Sequence, residues 1–215
     1  MKLNAEIGKR VVWTVLGMLW LGGVVTGLGL LVGYDNRPGV AAQAPAAWPV
    51  ESRLVLDHER PTLVMLAHPL CDCTRASVAE FAELMARAAT QPKAYILFIE
   101  PTGIRRDWEK TELWRAARAI PGVTVLRDSG SVEADIFGVE TSGQTLLYDV
   151  DGRLLFSGGT TGARGHVGDN EGRATILALL DHEDPQKSAS SVFGCSLFGE
   201  QDVRGTQATP YASAN

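Results

Sequence analysis

TLVMLAHPLCDCTRASVAEFAELMARAA, residues 62–89, joins two different patterns across a pair of cysteines. Residues 62–66 form a continuous apolar run, as expected of a strand buried on both faces. From Thr74 to Ala89 the apolar positions Val78, Phe81, Leu84, Met85 and Ala88 recur at i, i+3, i+4 spacing, one stripe of an amphipathic helix. Cys71 and Cys73 stand between the two, directly ahead of the helix. A helix N-terminus carries about half a positive charge and unpaired N–H donors. A thiolate placed there is stabilised, and a second thiol within reach resolves a mixed disulfide. Strand, cysteine, helix is the setting that thiol–disulfide exchange requires.

Downstream, the sequence continues to alternate. Ala94–Ile99 reads as a second buried strand, Arg106–Ile120 as a helix with Trp108, Leu113 and Ala117 inward, and Pro121-Gly122 as its stop. Val123–Leu126 is a short strand and Ser131–Phe137 a short helix. Thr145–Val150 and Arg153–Ser157 flank Asp151-Gly152, a strong hairpin signal. A glycine-rich loop, 158–168, leads to a last helix, Asp169–Leu180, with Asp169 as its expected N-cap. The order βαβαβαββα predicts an α/β fold, a thioredoxin-like sandwich with a central mixed sheet and flanking helices, over residues 53–182. The glycines match neither a Walker loop nor a dinucleotide fingerprint.

Upstream lies VVWTVLGMLWLGGVVTGLGLLVGY, residues 11–34, without a charged side chain. At 1.5 Å per residue it reaches roughly 36 Å, enough to cross a hydrocarbon core with tilt. Lys2, Lys9 and Arg10 precede it, which predicts residues 1–10 in the cytoplasm and the rest outside. A cleaved signal peptide is the competing reading, with AAQAPAA (41–47) as the cut site, but signal cores are shorter. The expected location is therefore the bacterial inner membrane, single-pass, with the C-terminal domain periplasmic. Residues 35–52, rich in Ala and Pro, read as a tether. Residues 183–215 read as a largely disordered tail apart from an apolar island at 192–198 that holds Cys195.

Composition narrows the classes. The chain has 215 residues with 20 Lys+Arg against 25 Asp+Glu, which leaves no basic footprint for nucleic acid. Setting aside residues 1–35 leaves 17 basic against 23 acidic residues, a mildly acidic soluble domain. Three cysteines are too few for a disulfide scaffold.

HPLCDCTRAS (68–77), FGVETSGQTLLYDVDGRLLFSGG (137–159) and GGTTGARGHVGDN (158–170) resemble the thioredoxin-like superfamily, and more narrowly its RedB-type branch. The resemblance implies a redox-active disulfide without a cofactor. It implies protein or small-molecule thiols and disulfides as partners, with an unspecified membrane electron donor. The spacing departs from the family's Cys-x-x-Cys: Cys71 pairs with Cys73 across one residue, or with Thr74 as Cys-x-x-Thr. The resemblance aligns Ser142, Gly143, Gln144 and Thr145 with the substrate-docking loop, and Gln144 stands where the family has its cis-proline.

An antiparallel hairpin returns residues 157–159 beside 143–145, so Arg164 and His166 are expected near the cysteines, one lowering a thiol pKa and the other relaying protons. Cys195 reads either as a third thiol folding back over the pair or as a small buried hydrophobe. The alternative function is copper or zinc delivery, with His68, Cys71, Cys73 and Cys195 as a soft N/S ligand set. A peroxiredoxin-like enzyme and a redox-inert interaction module complete the alternatives.

Overall fold

A computed structural model describes residues 2–40, 43–101, 110–183, 185 and 187–198. The chain divides into two units, one ending at Arg37 and the other starting at Pro38.

The first unit is a single helix, α1, Lys2–Asp35. Within it Arg10–Asp35 is long and apolar enough to cross a membrane, at 26 residues or about 39 Å. Its large apolar side chains, Trp13, Leu19, Trp20 and Leu30 among them, are all exposed. That suits a helix surrounded by lipid and is consistent with a single-pass anchor.

The second unit is built on one five-stranded sheet. Its strands are β1 (Thr62–Ala67), β2 (Lys93–Glu100), β3 (Val123–Ser129), β4 (Gln144–Tyr148) and β5 (Leu154–Gly159). They lie in the order β3-β2-β1-β4-β5. β1, β2 and β3 are parallel, as βαβ crossovers require, while β4 runs antiparallel to β1 and β5 antiparallel to β4. The connecting helices are α2 (Asp72–Arg87), α3 (Glu112–Arg118), α4 (Val132–Ile136) and α5 (Glu171–Leu180).

Period-two alternation divides the core between the two faces of the sheet. Leu63, Met65 and Ala67 of β1 face one side, where Phe81 and Leu84 of α2, Leu113 and Ala117 of α3, and Ile176 and Leu180 of α5 cover them. Val64 and Leu66 face the other side, with Ala134 of α4, Phe137, Leu54 and Leu197. The β4–β5 hairpin turns where Asp151-Gly152 predicts: Asp149 Oδ1 accepts the N–H groups of Asp151 (3.0 Å) and Arg153 (2.7 Å). Gly152 there has φ +78°, a conformation that favours glycine.

Several boundaries differ from the sequence expectations. α3 starts at Glu112, because Thr111 Oγ1 accepts the Trp114 N–H and caps it. The expected onset at Arg106, and Trp108 with it, falls at 102–109, outside the described residues. α5 is capped by Asn170, whose Oδ1 accepts the Arg173 N–H at 2.8 Å, rather than by Asp169. Asp169 pairs instead with the Arg173 guanidinium.

The segment expected to be a tether is docked over part of its length. Ala47 bridges Arg153, and the Trp48 N–H reaches the Gly152 carbonyl at 2.6 Å. The Trp48 ring packs edge-on against Phe137 (5.3 Å) and Tyr148 (5.2 Å). The expected disordered tail is likewise built into the domain earlier than its apolar island. Ser157 N–H donates to the Ser188 carbonyl, and Ser190 Oγ donates to the Gly159 carbonyl. From there the chain forms a strap that crosses to residues 140–142. Residues 199–215 lie outside the described residues.

Candidate active site

The site forms where β1 ends and α2 begins. Cys71 is the N-cap of α2, with extended backbone angles and no side-chain cap of its own. Its thiol is therefore placed at the end of the helix that presents free N–H groups. β1 holds this corner on the buried side, and Cys71 is almost wholly buried at 3% exposure. Cys73, in the first turn, is half-buried.

The strap supplies the third thiol. Cys195 lies over Cys71, its N–H donating to Cys71 Sγ at 3.4 Å. The three sulfurs all lie within 4.8 Å of one another, and all three are free thiols. Of the two expectations for Cys195, the structure shows a thiol folded back over the pair.

The neighbourhood divides the three thiols electrostatically. Cys71 is lowered from 9.0 to about 5, first by the Cys195 thiol, then by the Thr74 hydroxyl and by the backbone N–H groups of Cys195 and Thr74; burial opposes them. Cys73 is raised, by burial and then by the negative charge on Cys71, with Arg164 acting in the opposite direction. Cys195 is raised, chiefly because it donates to Cys71 and is buried. Near neutral pH the cluster thus holds one thiolate, at Cys71, between two protonated thiols.

Ser142 ties the site together. Its Oγ accepts the His68 N–H at 2.7 Å and lies 2.5 Å from Thr74 Oγ1. Its own N–H donates to the Cys195 carbonyl at 2.9 Å. One residue thus contacts the strand exit, the cysteine helix and the strap. Gly143 follows with φ +88°, and a Cβ there would stand 2.5 Å from Ser77 Oγ of α2. Gln144 sends Nε2 to Ser157 Oγ at 3.0 Å, and Thr145 Oγ1 donates to the Gly143 carbonyl. Ser142, Gln144 and Thr145 are all buried, Ser142 beneath the strap and the other two in β4.

Arg164 and His166 part company. Arg164 reaches the site: Nη1 donates to the Gly194 carbonyl at 2.6 Å, and its charge acts on Cys73 and Cys195. Of the two expected cysteines, its influence falls on Cys73. His166 is exposed, with Nδ1 3.1 Å from the Arg164 carbonyl in its own loop. His68 does not join the sulfur group. Its Nδ1 accepts the Leu70 N–H at 3.2 Å, and burial lowers its pKa.

One supporting residue went unread in the sequence. Glu80 of α2, fully buried, accepts the Gly168 N–H (2.6 Å) and the Asn170 side-chain amide (3.1 Å), and pairs with Arg173 of α5. It clamps the far end of the glycine-rich loop that carries Arg164. The available signal was a carboxylate one turn from Ser77 and Leu84 on the inward stripe of α2.

No family model and no curated protein matches the sequence. Solved structures do. An uncharacterized conserved protein from Geobacillus kaustophilus superposes with a TM-score of 0.55 at 16% identity, covering 75% of this chain and 92% of that one. A hypothetical protein from Sinorhizobium meliloti gives 0.50 at 20% identity, covering 75% and 93%. A secreted Mycobacterium tuberculosis disulfide oxidoreductase homologous to E. coli DsbE gives 0.42 at 11% identity, covering 59% and 84%. The sheet order β3-β2-β1-β4-β5, with parallel crossovers first and an antiparallel hairpin last, is that of the thioredoxin-like fold. At these identities the likeness is one of architecture, and chemistry has to be argued from the cysteine cluster.

Proposed function

We propose that the protein is a membrane-anchored thiol–disulfide oxidoreductase of the RedB type, with its domain in the periplasm. The observation that carries this reading is the Cys71 sulfur at the N-terminus of α2 with two further cysteine sulfurs within 4.8 Å, a setting that lowers its pKa to about 5. The Cys71 thiolate attacks one sulfur of a partner disulfide. The S–S bond breaks, the far sulfur leaves as a thiolate, and a mixed disulfide with Cys71 forms. Cys73 then gives up its proton and attacks Cys71 Sγ, and the partner's second sulfur leaves and is protonated. The partner disulfide gains two electrons and the Cys71/Cys73 dithiol loses them; the reverse sequence oxidises a partner dithiol. Thr74 supports the thiolate and Arg164 favours ionisation of Cys73 for its attack. His166 takes no part in this scheme.

Reduction of a small aromatic disulfide by the full-length protein tests the chemistry. Cys71→Ser abolishes it, and full activity in that variant overturns the reading. Labelling of Cys73 in intact cells by a membrane-impermeant maleimide tests the orientation.

The sulfur triangle favours one second reading, soft-metal binding. Three thiolates at this separation fit a trigonal Cu(I) ion, whereas Zn(II) requires a fourth ligand and His68 does not join the set. Competition with a Cu(I)-selective chelator measures it, and retention of copper by Cys195→Ser would count against this reading.

A further inference from the structure

The strap meets its own domain as an added β-strand would. The Ser142 N–H donates to the Cys195 carbonyl at 2.9 Å and the Leu197 N–H donates to the Glu140 carbonyl at 2.8 Å, while Thr141 and Ser196 form an antiparallel bridge between them. Side chains alternate along it as in a strand. Cys195 turns onto Cys71, Ser196 faces solvent, and Leu197 is buried at 3% exposure against the second core face. Ahead of the cysteine, Gly194 is buried, and a Cβ on it would overlap the Ser142 carbonyl oxygen. Arg164 holds the Gly194 carbonyl from the other side.

Every one of these contacts uses the backbone, a cysteine, a glycine or one apolar anchor. None depends on the strap belonging to the same chain. Strand addition of this kind recognises an extended segment by main-chain hydrogen bonds and selects it by alternate side chains.

We propose that the strap 194–198 occupies, from within the chain, the docking edge leading into the Ser142 loop that the resemblance assigns to substrates, and blocks it until displaced. The partner is then a polypeptide presenting an extended Gly-Cys-x-Leu-like segment that displaces the strap and sets its own cysteine on Cys71. The exchange step rests on the thiol–disulfide reading above; the docking does not. With Cys71 and Cys73 bonded, a disulfide supplied by an oxidised-dithiol donor, the Cys195 thiol loses its proton and attacks Cys71 Sγ. Cys73 leaves as a thiolate and takes up that proton, so no net electrons move. A docked partner cysteine performs the same step in place of Cys195. A tethered strap competes at a local concentration on the order of millimolar, so free segments bind weakly until it is loosened.

The test uses full-length protein in detergent and a peptide that cannot exchange, Phe-Gly-Ser-Ser-Leu-Phe, together with a scrambled control. Gly194→Ala forces the strap away from Ser142, and Leu197→Ser removes its anchor while leaving Gly194 in place. The expected result is binding at least about tenfold tighter to either variant than to the wild-type protein, with no gain for the scrambled peptide. Should one variant fail to fold, the other gives the answer. Equal binding by wild type and a folded variant, or an equal gain for the scrambled peptide, overturns the proposal. Tighter peptide binding without disulfide reduction by any form removes the redox reading and leaves the docking edge. Disulfide reduction without tighter binding does the reverse.

Discussion

Ser142 Oγ stands 2.5 Å from Thr74 Oγ1, and the groups at either end set the direction of that hydrogen bond. Ser142 Oγ accepts the His68 N–H, and because Thr74 gives its own proton to the Cys71 thiolate, the Ser142 proton goes to Thr74 Oγ1. Thr74 in turn has its proton free for Cys71, whose thiolate it stabilises. A hydrogen bond to a charged group contributes about 1.5–3 kcal/mol, or about 1–2 pH units. Thr74→Val is expected to raise the Cys71 titration midpoint by that much. Ser142→Ala raises it by less, in the same direction. Ultraviolet thiolate absorbance against pH reads both, and an unmoved midpoint in Thr74→Val removes the hydroxyl from the mechanism.

The depressed Cys71 pKa also has a consequence for stability. Between about 5 and 9.0 the folded chain has released a proton that the unfolded chain still holds. The Cys71 contribution to stability therefore rises with pH across that window, is complete above it, and is lost as pH falls through about 5, while the raised Cys73 and Cys195 thiols act in the opposite direction above 9.0. Urea unfolding under reducing conditions should show this rise in the wild-type protein. Cys71→Ala should lack that component.

Arg164 touches two things at once, the strap through Gly194 and the Cys73 thiol through its charge. Arg164→Gln should push Cys73 further up and slow its alkylation several-fold at mildly alkaline pH, on the order expected for losing one nearby charge. The same change loosens the strap over Cys71, whose alkylation should quicken. Mass spectrometry of each cysteine separates the two rates. A general loosening of the domain would accelerate both.

The buried pair Glu80–Arg173 joins α2 to α5 and leaves neither side chain in water. Removing one partner of such a pair strands the other and costs about 3–5 kcal/mol. Glu80→Gln should show most of that loss in urea unfolding. Faster hydrogen exchange at the Gly168 amide, which Glu80 accepts, is expected alongside it. A cost near zero would mean that the clamp is dispensable.

What the sequence made legible follows from periodicity. The 62–66 run and the Val78–Phe81–Leu84 stripe carried enough signal to place β1 and α2 within a residue or two, and the cysteines between them. The Asp151-Gly152 turn located the hairpin for the same local reason. What escaped was non-local. Nothing in 188–191 announces that it lies along β5; the clue sits on the other side of the contact. Gly158 and Gly159 would each place a Cβ against strap residues 190–192, and Gly172 would meet the Gly159 backbone. Those glycines clear space for backbone, and read alone they resemble a flexible loop. Trp48 was likewise an isolated aromatic among Ala and Pro until Phe137 and Tyr148 gave it a seat. In the candidate site, Cys71 and Arg164 were anticipated, while Ser142 as a junction depended on contacts 68 and 74 residues away along the chain.

Cys195 follows Cys71 by 124 residues, yet it gives Cys71 its largest stabilisation as a thiolate. During synthesis, Cys71 and Cys73 emerge long before their third companion. Until the strap closes, Cys71 lacks the two donors that Cys195 supplies and keeps only those of Thr74, so its thiol holds its proton more firmly than in the finished domain. Closure of the strap is the step that brings the Cys71 thiol to its final acidity, so the last part of the chain to fold tunes the first thiol to emerge.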